Sequence, residues 1–188
     1  MRTLVLEPTE TAQWHMLVTE AAASCDCRLD EGLESYLVFL LMRFAERPEL
    51  AASVMALEYL RGMLSLGRLR HEHLRDVGDK CLLYSGLFPR RAERRRVRIS
   101  YFVDLGQAAY RQLALAPTHS GADLYARLSA TFVLLMDVLQ AMRGLGDAGL
   151  DPMRTLELWT DTGSRRAYQT LRRLTDATPV PGDDSRKH

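Results

Sequence analysis

The sequence has few of the features that identify a secreted or membrane-bound protein. Only three of its 188 residues are cysteine, so a disulfide framework would leave one thiol over, and a reducing compartment is the simpler expectation. The first apolar stretch ends at Glu7 and Pro8 and is too short for a secretion signal. The longest uncharged, apolar-rich stretch, residues 128–136, is about half of what a bilayer span needs. These observations predict a cytoplasmic protein without membrane contact.

The chain also lacks an excess of charge of either sign. Its 25 basic and 24 acidic side chains leave a net charge of +1, so no field of the whole molecule attracts nucleic acid or a membrane. Hydrophobic residues make up 47% of the chain and charged residues 26%, which is the usual mixture of a globular protein. The length is sufficient for one hydrophobic core without disulfide bonds.

Apolar residues recur every three to four positions along nearly the whole chain, which predicts an all-α fold. We expect a single-domain bundle of about seven helices over residues 1–175 and a flexible tail over residues 176–188. The segment 31–46 is apolar nearly all round, so its helix is expected at the centre of the bundle. The segment 97–103 is also strand-like in composition, and a short strand there is an alternative. The seven helices are predicted at residues 9–24, 31–46, 48–67, 72–85, 90–115, 122–143 and 152–174, the last interrupted at residues 162–164.

Arginine is concentrated at residues 90–98, which we call the arginine strip. On a helix most of these side chains lie opposite the apolar residues and form a positive surface about two turns long. Guanidinium groups bind phosphate through paired hydrogen bonds, so a site for nucleic acid or another phosphate ligand is one interpretation. The alternative is a solvated helix face or an internal network of ion pairs, and a solvated face is the commoner explanation of a run of like charges. The candidate anion-binding residues are Arg91, Arg94, Arg95 and Arg98.

Acidic residues form a second pattern on the predicted fourth helix. Glu72, Asp76 and Asp79 are spaced by four and then three positions, which places three carboxylates on one helical face. Such a face could hold a divalent cation or supply an acid and a base. Charge spacing alone is a weak motif, and this favours the alternative of an exposed polar face near the arginine strip.

Two further ionic groups lie close to apolar stripes. Glu34 sits on the apolar helix 31–46 and needs a partner; a buried pair with Arg75 or Arg96 is the favoured interpretation, and an acid of raised pKa in a cleft is the alternative. Arg96 itself is expected to be partly buried against a carboxylate. The candidates for buried ion pairs, or for a site, are therefore Glu34, Arg75, Asp76, Asp79 and Arg96.

Spacings typical of a metal or cofactor site are not found in the sequence. The pairs Cys25–Cys27 and His71–His73 do not have a standard zinc spacing. A phosphate-binding glycine loop, a serine-hydrolase elbow and a zinc-protease helix motif are absent as well. We therefore predict no metal and no cofactor.

Three longer stretches carry a resemblance. They are ESYLVFLLMRF at residues 34–44, LRDVGDKCLLYSGLFP at residues 74–89 and SYFVDLGQAAY at residues 100–110. Together they resemble a family of small uncharacterised helical proteins from bacteria, and the likeness runs from the second predicted helix to the sixth. The resemblance implies an all-helical, cytoplasmic, bacterial protein. It implies no activity, cofactor or site residue.

Three functional hypotheses remain. The leading one is a non-enzymatic helical protein that acts through protein–protein interaction, with a second copy of itself among the partners, because charged surfaces of both signs are present and catalytic motifs are not. The second is binding of nucleic acid or a phosphate ligand through the arginine strip. The third is an enzyme or metal protein built on Glu34, Asp76 and Asp79, with Tyr84 or Tyr101 nearby.

Overall fold

The described part of the chain is helical throughout. The structure is a computed structural model that describes residues 9–46, 55–89, 97–115, 121–144 and 151–174. Within these ranges the chain forms nine α-helices and no strand. The helices are α1 (Glu10–Ser24), α2 (Glu31–Glu46), α3 (Met55–Leu64), α4 (Gly67–Leu87), α5 (Ile99–Ala114), α6 (Ala122–Ala130), α7 (Phe132–Arg143), α8 (Pro152–Thr162) and α9 (Arg165–Leu174).

The all-helical prediction is confirmed, and the higher number of helices has two local causes. The helix predicted over residues 122–143 is divided at Thr131, whose hydroxyl donates to the carbonyl oxygen of Arg127 at 2.7 Å. The backbone of Thr131, with φ of −102° and ψ of 13°, is not helical and separates the two helices. The predicted interruption near residues 162–164 is present, because Gly163 adopts a left-handed conformation with φ of 70° and ends α8.

Two other helix starts differ from the predictions. Helix α4 begins at Gly67 instead of residue 72, and its first turn is exposed, so the apolar pattern does not mark it. Helix α5 begins at Ile99, because Arg98 has the extended backbone of an N-cap. The strand alternative is wrong for residues 99–103, which are helical. The predicted helix start at residue 48, the first part of the arginine strip and the predicted tail lie outside the described residues.

The centre of the fold is α4, whereas the sequence predicts helix α2 there. Helix α4 packs against α3, α5 and α7, and its second half is buried on all sides. Helix α2 instead keeps one side in solvent, where Phe39 is 64% exposed. Neighbouring helices approach α4 closely because two of its residues have no side chain: Gly78 lies against the ring of Tyr110 on α5, and Gly86 lies against Leu139 on α7.

The other helices pack mainly on α5, on α7 and on one another. Helices α4 and α5 run antiparallel, since Tyr84 stacks on Phe102 at one end while Asp79 contacts Tyr110 further along. Helix α1 packs on α2 and α7, and the pair α8–α9 packs on α5 and α7. One hydrophobic cluster contains residues from all nine helices, so the described residues share a single core.

Candidate functional site

A group of polar side chains surrounds Asp79 where α2, α4 and α5 meet. Asp79 is only 3% exposed. Its Oδ1 accepts hydrogen bonds from the hydroxyls of Tyr36 on α2, at 2.5 Å, and Tyr110 on α5, at 2.7 Å. Its Oδ2 accepts a hydrogen bond from the guanidinium of Arg43 on α2. We call these four residues the Asp79 cluster, in which both carboxylate oxygens are bonded by neighbouring helices.

The electrostatics of the Asp79 cluster follow from its burial. Burial raises the pKa of the Asp79 carboxyl above its ordinary value, while the guanidinium of Arg43 and the two hydroxyl donors oppose that rise. Burial, together with the charge of Asp79, raises the pKa of Tyr36 and Tyr110 well above the ordinary value of a tyrosine. Burial acts to lower the pKa of Arg43, but the charge of Asp79 and the bond to it raise that pKa overall. The two tyrosines therefore remain protonated donors at neutral pH.

The Asp79 cluster continues to the surface through Asp76. The Oδ1 of Asp76 lies 3.8 Å from Nη1 of Arg43 and 3.7 Å from Nη2 of Arg75. Glu72, one turn earlier, accepts a hydrogen bond of 2.7 Å from Arg68. The prediction of one exposed polar face is therefore wrong for Asp79, which is buried among α2 and α5. Asp76 and Asp79 share Arg43, whereas Glu72 pairs with Arg68, and the two partly exposed acids, Glu72 and Asp76, form ion pairs of the kind that stabilises a protein little.

Glu34 lies apart from the Asp79 cluster. It is two positions before Tyr36, roughly 200° away around the helix, and it contacts α1. Its Oε1 accepts a hydrogen bond of 2.5 Å from the hydroxyl of Thr19 and lies 3.5 Å from Nε2 of His15. The expected pair between Glu34 and Arg75 is not formed, because Arg75 contacts Asp76 instead. Glu34 and Asp79 therefore do not share a cleft.

Most of the arginine strip lies outside the described residues, and this includes Arg91, Arg94, Arg95 and Arg96. Arg98 lies within the described residues, directly before the first residue of α5, and is exposed. Its Nη1 lies 3.5 Å from Oδ2 of Asp161 on α8, and the hydroxyl of Ser100 donates to the same oxygen at 2.9 Å. Arg98 therefore takes part in a surface contact between α5 and α8.

The tyrosines beside the buried acid are not those named from the sequence. Tyr84 stacks on Phe102, and Tyr101 is exposed on α5. The Asp79 cluster instead contains Tyr36 and Tyr110, and Tyr125 of α6 packs its ring beside both at centroid distances of 6.4 and 6.0 Å. The sequence does contain an indication of Tyr110, because this residue lies on the apolar stripe of its helix and a buried tyrosine hydroxyl requires a polar partner.

A second buried acid, which the sequence patterns do not indicate, joins α7 to the start of α9. Asp137 is 3% exposed. Its Oδ1 accepts a hydrogen bond of 2.6 Å from the hydroxyl of Ser164, and its Oδ2 accepts one of 3.3 Å from the backbone N–H of Arg166. The Ser164 hydroxyl in turn accepts from the N–H of Ala167 at 3.0 Å. A negative charge at a helix N-terminus is stabilising, so Asp137 and Ser164 cap α9.

The three cysteines are free thiols. Burial raises the pKa of Cys81, Cys25 and Cys27 above the ordinary value of a thiol, so all three stay protonated at neutral pH and are weak nucleophiles. Cys81 is fully buried in the core, as a small apolar residue would be. In the described ranges no three histidine, cysteine or acidic side chains come together where they could hold a metal ion.

Exposed leucines are concentrated where α3 turns into α4. Leu57, Leu60 and Leu64 lie on one face of α3 and are between 55% and 85% exposed. Leu66, in the connection, is 85% exposed, and Leu69, in the first turn of α4, is 54% exposed. We call these five residues the leucine face. Isolated exposed leucines are ordinary, but a continuous apolar patch marks an interaction site.

A cavity of about 750 Å³ lies between α1, α2, α7 and the end of α4. Its volume falls within the range of small-molecule sites, roughly 300–1,000 Å³. Ten of the thirteen described residues that line it are apolar. The three polar ones are Glu20, Ser24 and Arg143.

No helix among the described residues combines the length and the apolar character that crossing a membrane requires. No protein-family model, curated protein or solved structure matches this chain.

Proposed function

We propose that this protein is a non-enzymatic helical protein of the bacterial cytoplasm that acts through protein–protein interaction, and that the partner at its leucine face is a second copy of the same chain. The observation that carries the proposal is the leucine face, where five leucines are each more than half exposed around one turn. The three stretches that resemble small helical bacterial proteins support the setting but not the partner.

The energy of burying the leucine face is sufficient for a dimer. Full burial of a leucine contributes about 1.5–3 kcal/mol. With exposed fractions of 54–85%, the five leucines of one copy would contribute roughly 5–10 kcal/mol, and two copies twice as much. Association costs about 4–15 kcal/mol in lost freedom of motion. The gain exceeds the cost over most of this range.

The charges around the leucine face suit a pair of identical surfaces. Arg61 and Arg68 are exposed beside the leucines, and Glu72 follows one turn after Arg68. Because both signs are present, a two-fold axis can place an arginine of one copy opposite a glutamate of the other. The net charge of +1 also leaves almost no repulsion between two copies.

The arrangement of the acidic residues supports a structural role for them. Both oxygens of Asp79 accept hydrogen bonds within the Asp79 cluster. Asp137 accepts hydrogen bonds from Ser164 and from the backbone at the start of α9. A general acid or base must instead lie within hydrogen-bond reach of a substrate. Glu34, which belongs to the enzyme hypothesis together with Asp76 and Asp79, accepts a hydrogen bond from Thr19 on another surface.

The test is the mass of the protein in solution as a function of its concentration. Between about 1 and 100 µM we expect sedimentation velocity to show a change from the mass of one chain to that of two. The variant Leu64→Glu with Leu66→Glu, changed at two positions that are 85% exposed, should remain a single chain with unchanged helical circular dichroism. Met153→Glu, at a similarly exposed position on α8, is the matched control and should dimerise like the unchanged protein. Single-chain mass at every concentration, or dimerisation that survives the double change, contradicts the proposal.

A further inference from the structure

We propose that the cavity between α1, α2, α7 and the end of α4 binds the hydrocarbon part of a small amphiphile, namely one alkyl chain that carries a polar end. This proposal goes beyond association at the leucine face, because the two surfaces have no residue in common.

The size of the cavity distinguishes it from an ordinary packing defect. Protein interiors are packed as densely as organic crystals, and voids larger than a water molecule are few. The floor here consists of Ala21, Leu41 and Ala141, which are buried and belong to the same core as the rest of the molecule. A space of about 750 Å³ above such a floor has the volume of a ligand site.

The floor and walls of the cavity are lined mainly by apolar side chains. Three aromatic rings line the cavity: Trp14 on α1, and Phe44 on α2 in edge contact with Phe88 after α4, with ring centroids 5.4 Å apart. Ser24 also lines the cavity, but its hydroxyl donates to the carbonyl oxygen of Ala21 at 2.7 Å in its own helix. A polar group of a ligand would lose its water there without gaining a partner, which costs free energy. The buried part of the ligand is therefore hydrocarbon.

The charged lining residues mark the mouth of the cavity. Glu20 is exposed and Arg143 is half-buried, while Ala45, also exposed, adjoins them at the end of α2. An amphiphile can keep its polar end in water between these two charges while its chain lies against the floor. The mouth carries one charge of each sign, so it can accept the polar end of an anionic or of a cationic amphiphile. Both kinds of ligand would bind through the same alkyl chain.

A small chain suits the cavity better than a helix of another protein. An α-helix with its side chains is about 10–12 Å wide, so three turns occupy roughly 1,300–1,800 Å³. The cavity has about half of that volume, and only one face of a helix would fit into it. An alkyl chain is narrower than a helix, and it can lie against the apolar floor and the aromatic rings of the wall.

The position of Trp14 in the wall provides a direct measurement. The chain has two tryptophans, and the other, Trp159, packs against Tyr168 at the α8–α9 pair with ring centroids 5.4 Å apart. The variant Trp159→Phe therefore leaves Trp14 as the single reporter. We would titrate this variant with octanoate, decanoate and laurate, and with alkyltrimethylammonium ions of the same chain lengths, below their micelle concentrations. We expect a saturable change of Trp14 emission and an affinity that rises about fourfold per methylene until the chain fills the cavity.

Matched variants locate the binding. In the Trp159→Phe background, Ala45→Phe fills the mouth of the cavity and should weaken binding by at least about tenfold. Ala126→Phe, at an exposed position on α6, is the control and should leave the affinity within about twofold. The variant Leu64→Glu with Leu66→Glu should bind the chain normally, so failure of the dimer and failure of this site are distinguishable.

Three results would overturn the proposal. The first is that neither the anionic nor the cationic series changes Trp14 emission in a saturable way. The second is an affinity that does not depend on chain length, which would point to a contact with the polar end alone. The third is that Ala45→Phe binds as tightly as its parent, which would place the chain elsewhere on the molecule.

Discussion

Replacing Asp79 by leucine removes the acceptor that three side chains share. In Asp79→Leu the hydroxyls of Tyr36 and Tyr110 lose their partner, and Arg43 loses its buried counter-ion. Breaking a buried ion pair costs about 3–5 kcal/mol, and hydroxyls left without a partner add about 1–3 kcal/mol. Because the Arg43 side chain is 30% exposed and regains water, we take the lower figure for the ion pair. The expected fall in the free energy of unfolding is about 4–6 kcal/mol.

The measurement is urea unfolding followed by circular dichroism, with a second variant as control. In the double variant Asp79→Leu with Arg43→Met no unpaired cation remains, so we expect it to be about 2 kcal/mol more stable than Asp79→Leu alone. If the leucine variant does not fold, Asp79→Asn keeps the shape, removes the charge and should show a smaller loss of the same sign. A loss below about 1 kcal/mol for Asp79→Leu would refute the reasoning. So would a double variant that is as unstable as the sum of its two single changes.

Two further predictions concern the surroundings of the same acid. Gly78→Ala would place a Cβ 2.4 Å from Cε1 of Tyr110, so this buried ring must shift from the position in which it bonds Asp79, and we expect a loss of about 1–3 kcal/mol in urea unfolding. Gly32→Ala, whose new Cβ would meet mainly the flexible side chain of Arg127 at 3.2 Å, is the control and should cost less than about 1 kcal/mol. The raised pKa values of Tyr36 and Tyr110 predict stability that is full below about pH 10 and is lost as the pH rises further, because the unfolded tyrosines ionise first. The two tyrosines together should remove about 2.7 kcal/mol of stability between about pH 9 and 11, measured by urea unfolding; a loss of the same size after both tyrosines are replaced by phenylalanine would contradict this.

The helical class and several helix boundaries could be predicted from the sequence because they depend on local physics. The cap and proline at Asp151 and Pro152, and the left-handed Gly163, act within one turn of the residue itself. The break at Thr131 could not be predicted, because its neighbours continue the apolar pattern and no glycine or proline lies at this position. Apolar content alone favours α2 as the centre of the fold, and this prediction is wrong. The position of α4 at the centre depends equally on the close approach of other helices to Gly78. That approach involves residues such as Tyr110 that are distant in the sequence.

The candidate site could be predicted only in part for a similar reason. Asp79 was singled out by its spacing, but spacing cannot show that its donors come from α2 and α5. Glu34 was assigned a cationic partner, whereas Thr19 and His15 meet it because α1 packs on that side of α2. The cavity depends on how four helices surround alanine positions such as Ala21. Nothing in a single sequence distinguishes an alanine that lines a space from one that is packed.

The directional bonds of the Asp79 cluster fix how its helices are aligned along their axes. A contact between leucines tolerates sliding, because any neighbouring leucine offers similar surface. If α5 slid along α4 by one turn, about 5.4 Å, the hydroxyl of Tyr110 would move out of reach of Asp79 and leave a buried charge short of a donor. The same holds for α2, which contributes two donors to this carboxylate. The hydrogen bonds of one buried acid thus fix a single register for α2, α4 and α5. Packing of their apolar side chains alone would fix that register less strictly.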